Sequence, residues 1–287
     1  MANLNDLNKI ARKRSTFVDS SEKGLISKAA TLQRRLNAYV TKVLIPSLDI
    51  KNGSIVNSST NLKKINKVAA LKRFVRDVIN LNLYEYYNKQ FKGLESRTTP
   101  YFNELGNTAA KNKNVLNKGN LSTTGFLDSL FDNNDIVRSI QNTIRTAISS
   151  NSKVSDLNTL ITEQIKGKED KFGIVQSFHY KNGGYDSFQN YSRTLDEAFS
   201  KSLNLNYAIY AGGKIKTTRE FCLSRSGKVF NRETIEEWNT LEWQGKIEGG
   251  NVLIDAGGYN CRHDYDWISY ELAKRVNLNI KKSKYDK

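Results

Sequence analysis

The sequence is poor in the residues that mark several protein classes. Two cysteines in 287 residues exclude a disulfide framework and predict folding in a reducing cytoplasm. Two prolines (Pro46 and Pro100) and 18 glycines exclude collagen-like and proline-rich linker chains. No run approaches the ~18 consecutive apolar residues of a transmembrane helix, so no membrane partner is expected. The start of the sequence lacks the charged and apolar stretches of a signal peptide. Phosphate-loop spacings are missing as well: there is no G-x-x-x-x-G-K-[ST], and no G-x-G-x-x-G after a strand. The carboxylates of residues 220–271 follow no nuclease-like pattern. Residue chemistry alone therefore demands no enzyme, and no catalytic residue is expected.

What is present is aromatic and basic. Twelve Phe, 14 Tyr and 3 Trp suffice to build a core, which argues against a disordered chain. The length suggests about two domains. Net charge is +16, and it is uneven. Residues 1–100 hold 19 Lys+Arg against 7 Asp+Glu, residues 101–200 hold 11 of each, and residues 201–287 hold 15 against 11. A basic first third draws polyanions and binds phosphates in a salt-dependent way. A solvated basic face without a partner has the same composition. The cations singled out as DNA or portal contacts are Arg12, Lys13, Arg14, Arg34, Arg35, Lys63, Lys64, Lys72, Arg73 and Arg76.

The pattern along the chain predicts an α+β protein, mainly α. Asp19 and Glu22 have capping-box spacing. Leu25, Ala29, Leu32, Leu36, Tyr39 and Val43 then mark one helical stripe that ends near Pro46. Residues 49–62 read as a loop. A second long, basic helix is expected over 62–92 on Val68, Leu71, Val75 and Val78, with Gly93 as its C-cap. Together these make an N-terminal hairpin, with Tyr84, Tyr86, Tyr87 and Phe91 packing its end. Residues 93–121 look irregular. Further helices are expected at 122–132, 134–149 (Ile136, Ile140, Ile144, Ile148), 156–166 and 186–203. After residue 204 the signal changes to short strands at 205–211, 214–221, 227–230 and 251–255, with helices at 232–244 and 266–276. The expected organisation is a basic helical hairpin region over 1–110, a helical middle over 111–204, and a small α+β module with a basic tail over 205–287.

Both cysteines and one of the two histidines lie in that last module. Cys222, Cys261 and His263 are candidate zinc ligands, since two thiolates and an imidazole can fill three of four tetrahedral positions. A Cys222–Cys261 contact as thiol pair or disulfide, and unrelated core roles, remain open beside it. His179, between Phe178 and Tyr180, reads as a packed or exposed histidine.

Tyr207-Ala-Ile-Tyr-Ala-Gly-Gly-Lys-Ile-Lys-Thr-Thr-Arg-Glu-Phe-Cys222, followed by Gly227-Lys-Val-Phe230 and Gly257-Gly-Tyr-Asn-Cys-Arg-His263, resembles the C-terminal motif of phage minor head proteins of the Mu F type. Arg193 in a preceding helix fits the order of parts. The similarity covers about residues 120–270. It departs from the commoner closure, in which Pro-x-His precedes Asn-Cys-Arg, and it has Lys216-Thr217 where an Asp usually stands. The resemblance implies Tyr207, Gly212, Thr218, Arg219, Cys222, Gly227, Gly258, Cys261, Arg262 and His263 as motif residues. It implies a structural head-morphogenesis protein inside the virion, at the portal vertex or capsid interior, assembled in the host cytoplasm. Its partners would be portal protein, major capsid protein and double-stranded DNA, with no cofactor required. The alternatives are a free cytoplasmic nucleic-acid-binding protein, or a zinc-dependent enzyme or toxin relative.

Overall fold

The stripe Leu25, Ala29, Leu32 and Leu36 is fully buried, on a helix much longer than expected, Leu4–Tyr39. In the computed structural model residues 3–66, 69–106, 115–116, 134–168, 171–181, 183–184 and 186–286 are described. Val68 and the expected helix at 122–132 lie outside the described residues. Asp19 and Glu22 cap nothing, because the helix begins fifteen residues before Asp19 and runs through both. The stripe also slips at its end. Val40–Leu44 form a π-turn, and the wider turn buries Val40 and Leu44 while leaving Val43 55% exposed.

The fold is α+β and mainly α, and the chain divides into two units built from separated segments. One unit comprises Glu22–Asn88 and Phe126–Gly184. Where a loop was expected it forms a small hairpin, β1 (Ile50–Lys51) and β2 (Ser54–Ile55), around an Asn52-Gly53 turn, the strongest short hairpin signal. Helices Ser59–Asn66 and Ala69–Phe74 follow, then a π-segment Val75–Asn80 that buries Val75 and Ile79. Helix Asn134–Ser149 buries Ile136, Ile140, Ile144 and Ile148 as its spacing predicts. Val154–Lys166 and Ile174–Lys181 complete this unit, and Gln33 and Gln176 hydrogen-bond side chain to side chain within it at 3.1 Å.

The other unit comprises Met1–Ser21, Lys89–Gly125 and Tyr185–Lys287. Helix Leu81–Glu104 enters it and does not stop at Gly93. A Cβ at Gly93 would run into the Phe17 ring, so glycine there serves close packing and not a cap. Pro100 lies within the last turns of the same helix, so the segment read as irregular is helical as far as Glu104. A three-stranded antiparallel sheet has the order β4–β3–β5, with β3 Tyr207–Ala211, β4 Val229–Asn231 and β5 Asp264–Ile268. Ala208 sits opposite Phe230 on one side and Trp267 on the other. Helix Ser187–Ser202 packs on β5.

Residues 214–221 are turn and helix start, not strand. Val252–Asp255 is one helical turn, because the Asn251 side chain accepts from the Leu253 N–H and starts it. Residues 266–268 belong to β5, and the final helix starts at Tyr270 after the Ser269 cap. Among the described residues no helix is long and apolar enough to cross a membrane.

Burial pushes His179 down to about 4, well below the ordinary 6.5 of imidazole. A histidine held neutral in the folded state contributes stability above pH 6.5, and that contribution is lost as pH falls toward 4. Each pH unit in that window costs at most about 1.4 kcal/mol. Hydrogen exchange over Ile174–Lys181 should therefore accelerate between pH 6.5 and 4 after correction for intrinsic rates. In His179→Asn this acid-dependent component should vanish; its persistence would assign the effect to another group.

Candidate functional site

Three short elements deliver the candidate site. The Glu220–Leu223 turn carries Cys222, with Arg219 as its N-terminal flank. The loop 257–263 carries Cys261, and His263 immediately precedes β5. Tyr210 projects from β3, the central strand. The Sγ atoms of Cys222 and Cys261 are 3.8 Å apart, and Cys261 Sγ is 3.8 Å from His263 Nδ1. The Tyr210 hydroxyl lies 3.3 Å from Cys222 Sγ and 3.8 Å from Cys261 Sγ. Its ring stacks on the His263 imidazole at 5.0 Å between centroids. Cys222, Cys261 and His263 are all buried.

Arg193, from helix Ser187–Ser202, holds the loop in place. Its guanidinium donates to the carbonyls of His263 (2.7 and 2.9 Å), Cys261 (2.7 Å) and Ile254 (2.9 Å). Five donors in a fixed plane suit this task, which an ammonium cannot perform. Burial works against its charge, but Cys261 and then Asp264 outweigh it and the pKa rises. Asp264 is 3.7 Å from Arg193 and accepts from Gln189 at 2.5 Å.

The two thiols are tightly linked. The hydrogen bond from Cys222 holds the Cys261 thiol low against its burial, with His263 and Arg193 adding to the effect. The same hydrogen bond, followed by burial, pushes Cys222 up. The Gly257 N–H donates to Cys261 Sγ at 3.2 Å. A Cβ on Gly257 would collide with the Cys222 sulfur and reach the Cys261 sulfur at 3.0 Å, so only glycine fits beside the pair. A cavity of about 240 Å³ adjoins the cluster, lined by Thr218, Arg219, Cys222, Cys261, Arg262 and His263 among others.

The other motif residues divide into two groups. Arg219 donates to the Tyr259 carbonyl at 2.6 Å, and Thr218 Oγ accepts from the Ile215 N–H at 2.8 Å. Gly212 lies against the His263 ring, and Gly258 against the Gly245 carbonyl. Gly227 takes a positive φ in the turn before β4, with its N–H on the Tyr210 carbonyl at 2.8 Å. Tyr207 is buried but serves elsewhere: its hydroxyl meets Asp286 and the Ser283 N–H. Residues 207 and 210 are an odd number apart on β3, so their side chains leave opposite faces. Sequence reasoning did not place Tyr210 or Arg193 at the site, although Tyr210 lies inside the motif segment and Arg193 in the helix that precedes it.

Of the ten selected cations Arg14 must be withdrawn from the surface set. It is 2% exposed and pairs with Asp196 and, at 3.4 Å, with Asp266. Burial pushes Asp266 up to about 6, with Arg14 opposing the rise. Arg12 and Lys13 are exposed and line a groove of about 690 Å³ with Lys9, Phe17 and Arg97, where Arg97 stacks on the Phe17 ring at 3.8 Å. In the other unit Arg34, Arg35, Lys63, Lys64, Lys72, Arg73 and Arg76 are all exposed. Lys64 is paired with Asp49 at 2.8 Å and Arg76 with Asp77 at 2.7 Å.

No protein-family model, curated protein or solved structure matches this chain.

Arg193→Lys keeps the charge and forfeits the shared contact with three carbonyls. It should cost roughly 3–5 kcal/mol, the range for breaking a buried charged network. Arg219→Lys, which loses one carbonyl contact at a half-exposed position, should cost about 1 kcal/mol. Denaturant melts of both variants check this; equal costs would remove Arg193 from its organising role.

Proposed function

We propose that this chain is a structural, non-enzymatic minor head component of a phage, seated in the virion at the portal or capsid interior and touching double-stranded DNA. The observation that carries the reading is convergence. Arg193, Gly212, Thr218, Arg219, Cys222, Gly258, Cys261, Arg262 and His263 are spread over seventy residues of sequence. In the fold they surround one buried cluster and its cavity. These are largely the residues on which the resemblance to the Mu F type rests. A motif whose parts interlock in this way acts as a fixed anchor, with the guanidinium groups of Arg193 and Arg219 spent on backbone carbonyls.

DNA contact is supported by the groove of Lys9, Arg12, Lys13 and Arg97. Its remaining lining is Asn5, Asn8, Thr16, Phe17 and Ser20, so it contains cations, neutral donors and no carboxylate. That composition suits phosphate oxygens and carries no base-reading code. Portal protein and major capsid protein are the protein partners this reading entails.

Quantitative mass spectrometry of purified particles, scaled to the portal protein, tests the assignment. A fixed ratio to portal is expected; absence from particles overturns it. For the groove, reversing Lys9, Arg12 and Lys13 to Glu should weaken DNA binding at every sequence. It should also flatten the dependence of log K on log salt by roughly 2–3. An unchanged slope would remove the groove from the DNA contact.

A further inference from the structure

Cys222, Cys261 and His263 place two sulfurs and one imidazole with their ligand atoms all within 4.8 Å of one another. A tetrahedral zinc with Zn–S of about 2.3 Å and Zn–N of about 2.0–2.1 Å sets its ligand atoms roughly 3.5–3.8 Å apart. Two of the three separations here, Cys222 Sγ to Cys261 Sγ and Cys261 Sγ to His263 Nδ1, are 3.8 Å, and the third lies within 4.8 Å. The surroundings favour an ion as well. The Gly257 N–H already points at Cys261 Sγ, and the bare Cα of Gly257 leaves room beside both sulfurs. The His263 ring is clamped between Gly212 and Tyr210, so its orientation is set before any ion arrives. Arg193 fixes the backbone carbonyls of two of the three ligand residues. Outer contacts that orient ligands in this way are what a metal site needs beyond its ligands.

We propose that Cys222, Cys261 and His263 bind a zinc ion, with the fourth position facing the adjoining cavity and filled by water. A donor set of two soft thiolates and one imidazole selects zinc over calcium, magnesium or manganese. The ion would tie the Glu220–Leu223 turn to the loop before β5, closing a segment whose ends are 39 residues apart. This inference stands on the three side chains and is independent of where the protein works.

The test uses the full chain, expressed with zinc in the medium and purified under reducing conditions without chelator. Elemental analysis should find about one zinc per chain. After removal of zinc, titration with cobalt chloride should produce a thiolate-to-cobalt charge-transfer band. Cys222→Ser and Cys261→Ser should each lose the zinc and the band, and His263→Asn should weaken the band. Should the serine variants fail to fold, the cobalt spectrum of the wild-type chain decides alone. A folded wild type with no zinc and no cobalt band overturns the proposal.

Discussion

A buried guanidinium is the constraint on which the unit with the three-stranded sheet depends. Arg193 reaches across from helix Ser187–Ser202 and satisfies the carbonyls of Ile254, Cys261 and His263. The loop from 254 to 263 has almost no regular structure of its own, so its buried carbonyls have no ladder to join. Unpaired, each would carry a penalty of about 1–3 kcal/mol. One planar side chain removes that penalty at three points and thereby fixes Cys261 and His263 beside Cys222. The chemistry of the cluster is thus set by a residue that is not part of it.

The same helix repeats the device. Asp196 pairs with Arg14, and Glu197 pairs with Arg232 at 2.7 Å, while the Arg232 guanidinium lies 4.0 Å over the Trp267 ring. Three charged residues of one helix are buried, and each is answered by opposite charge or by carbonyls. Buried ion pairs of this kind contribute little net stability against a hydrophobic alternative, but breaking one leaves a charge without a partner. Their effect here is positional: Arg14 comes from the first helix, Arg232 from the start of the helix Arg232–Glu237 after β4, and Asp266 from β5. The pairs lock separated segments of one unit into a single arrangement.

This explains which parts of the fold were legible in the sequence. Helix Asn134–Ser149 shows four isoleucines at four-residue steps and was readable to its ends, because nothing in its environment opposes its period. β5 was not. Its sequence Asp-Tyr-Asp-Trp-Ile buries all five residues, carboxylates included. Hydropathy assigns Asp264 and Asp266 to solvent; Gln189, Arg193 and Arg14 keep them inside. The apolar run Val252-Leu-Ile254 is too short for its period to choose between helix and strand, and the Asn251 cap made the choice. At the site, the residue types Cys, Cys and His were enough to suggest a shared role. The part of Arg193 and Tyr210 was not legible, because it depends on two elements meeting that are far apart in sequence.

Arg12, Lys13 and Arg14 show why net charge is a poor map of a binding surface. They are consecutive in sequence, and a helix turns about 100° per residue. Arg12 and Lys13 therefore face the groove, while Arg14 points into the core and is consumed by Asp196 and Asp266. Composition counts the three alike. The surface that can meet a polyanion is instead defined by the cations left without an internal carboxylate, and of those on this helix Arg12, Lys13 and, one turn earlier, Lys9 line the groove. Arg97 joins them from another helix and is not consecutive with any of them. A phosphate chain following this groove would be read by spacing along a helix face, and the basic excess of the first hundred residues overstates how much of it such a ligand can touch.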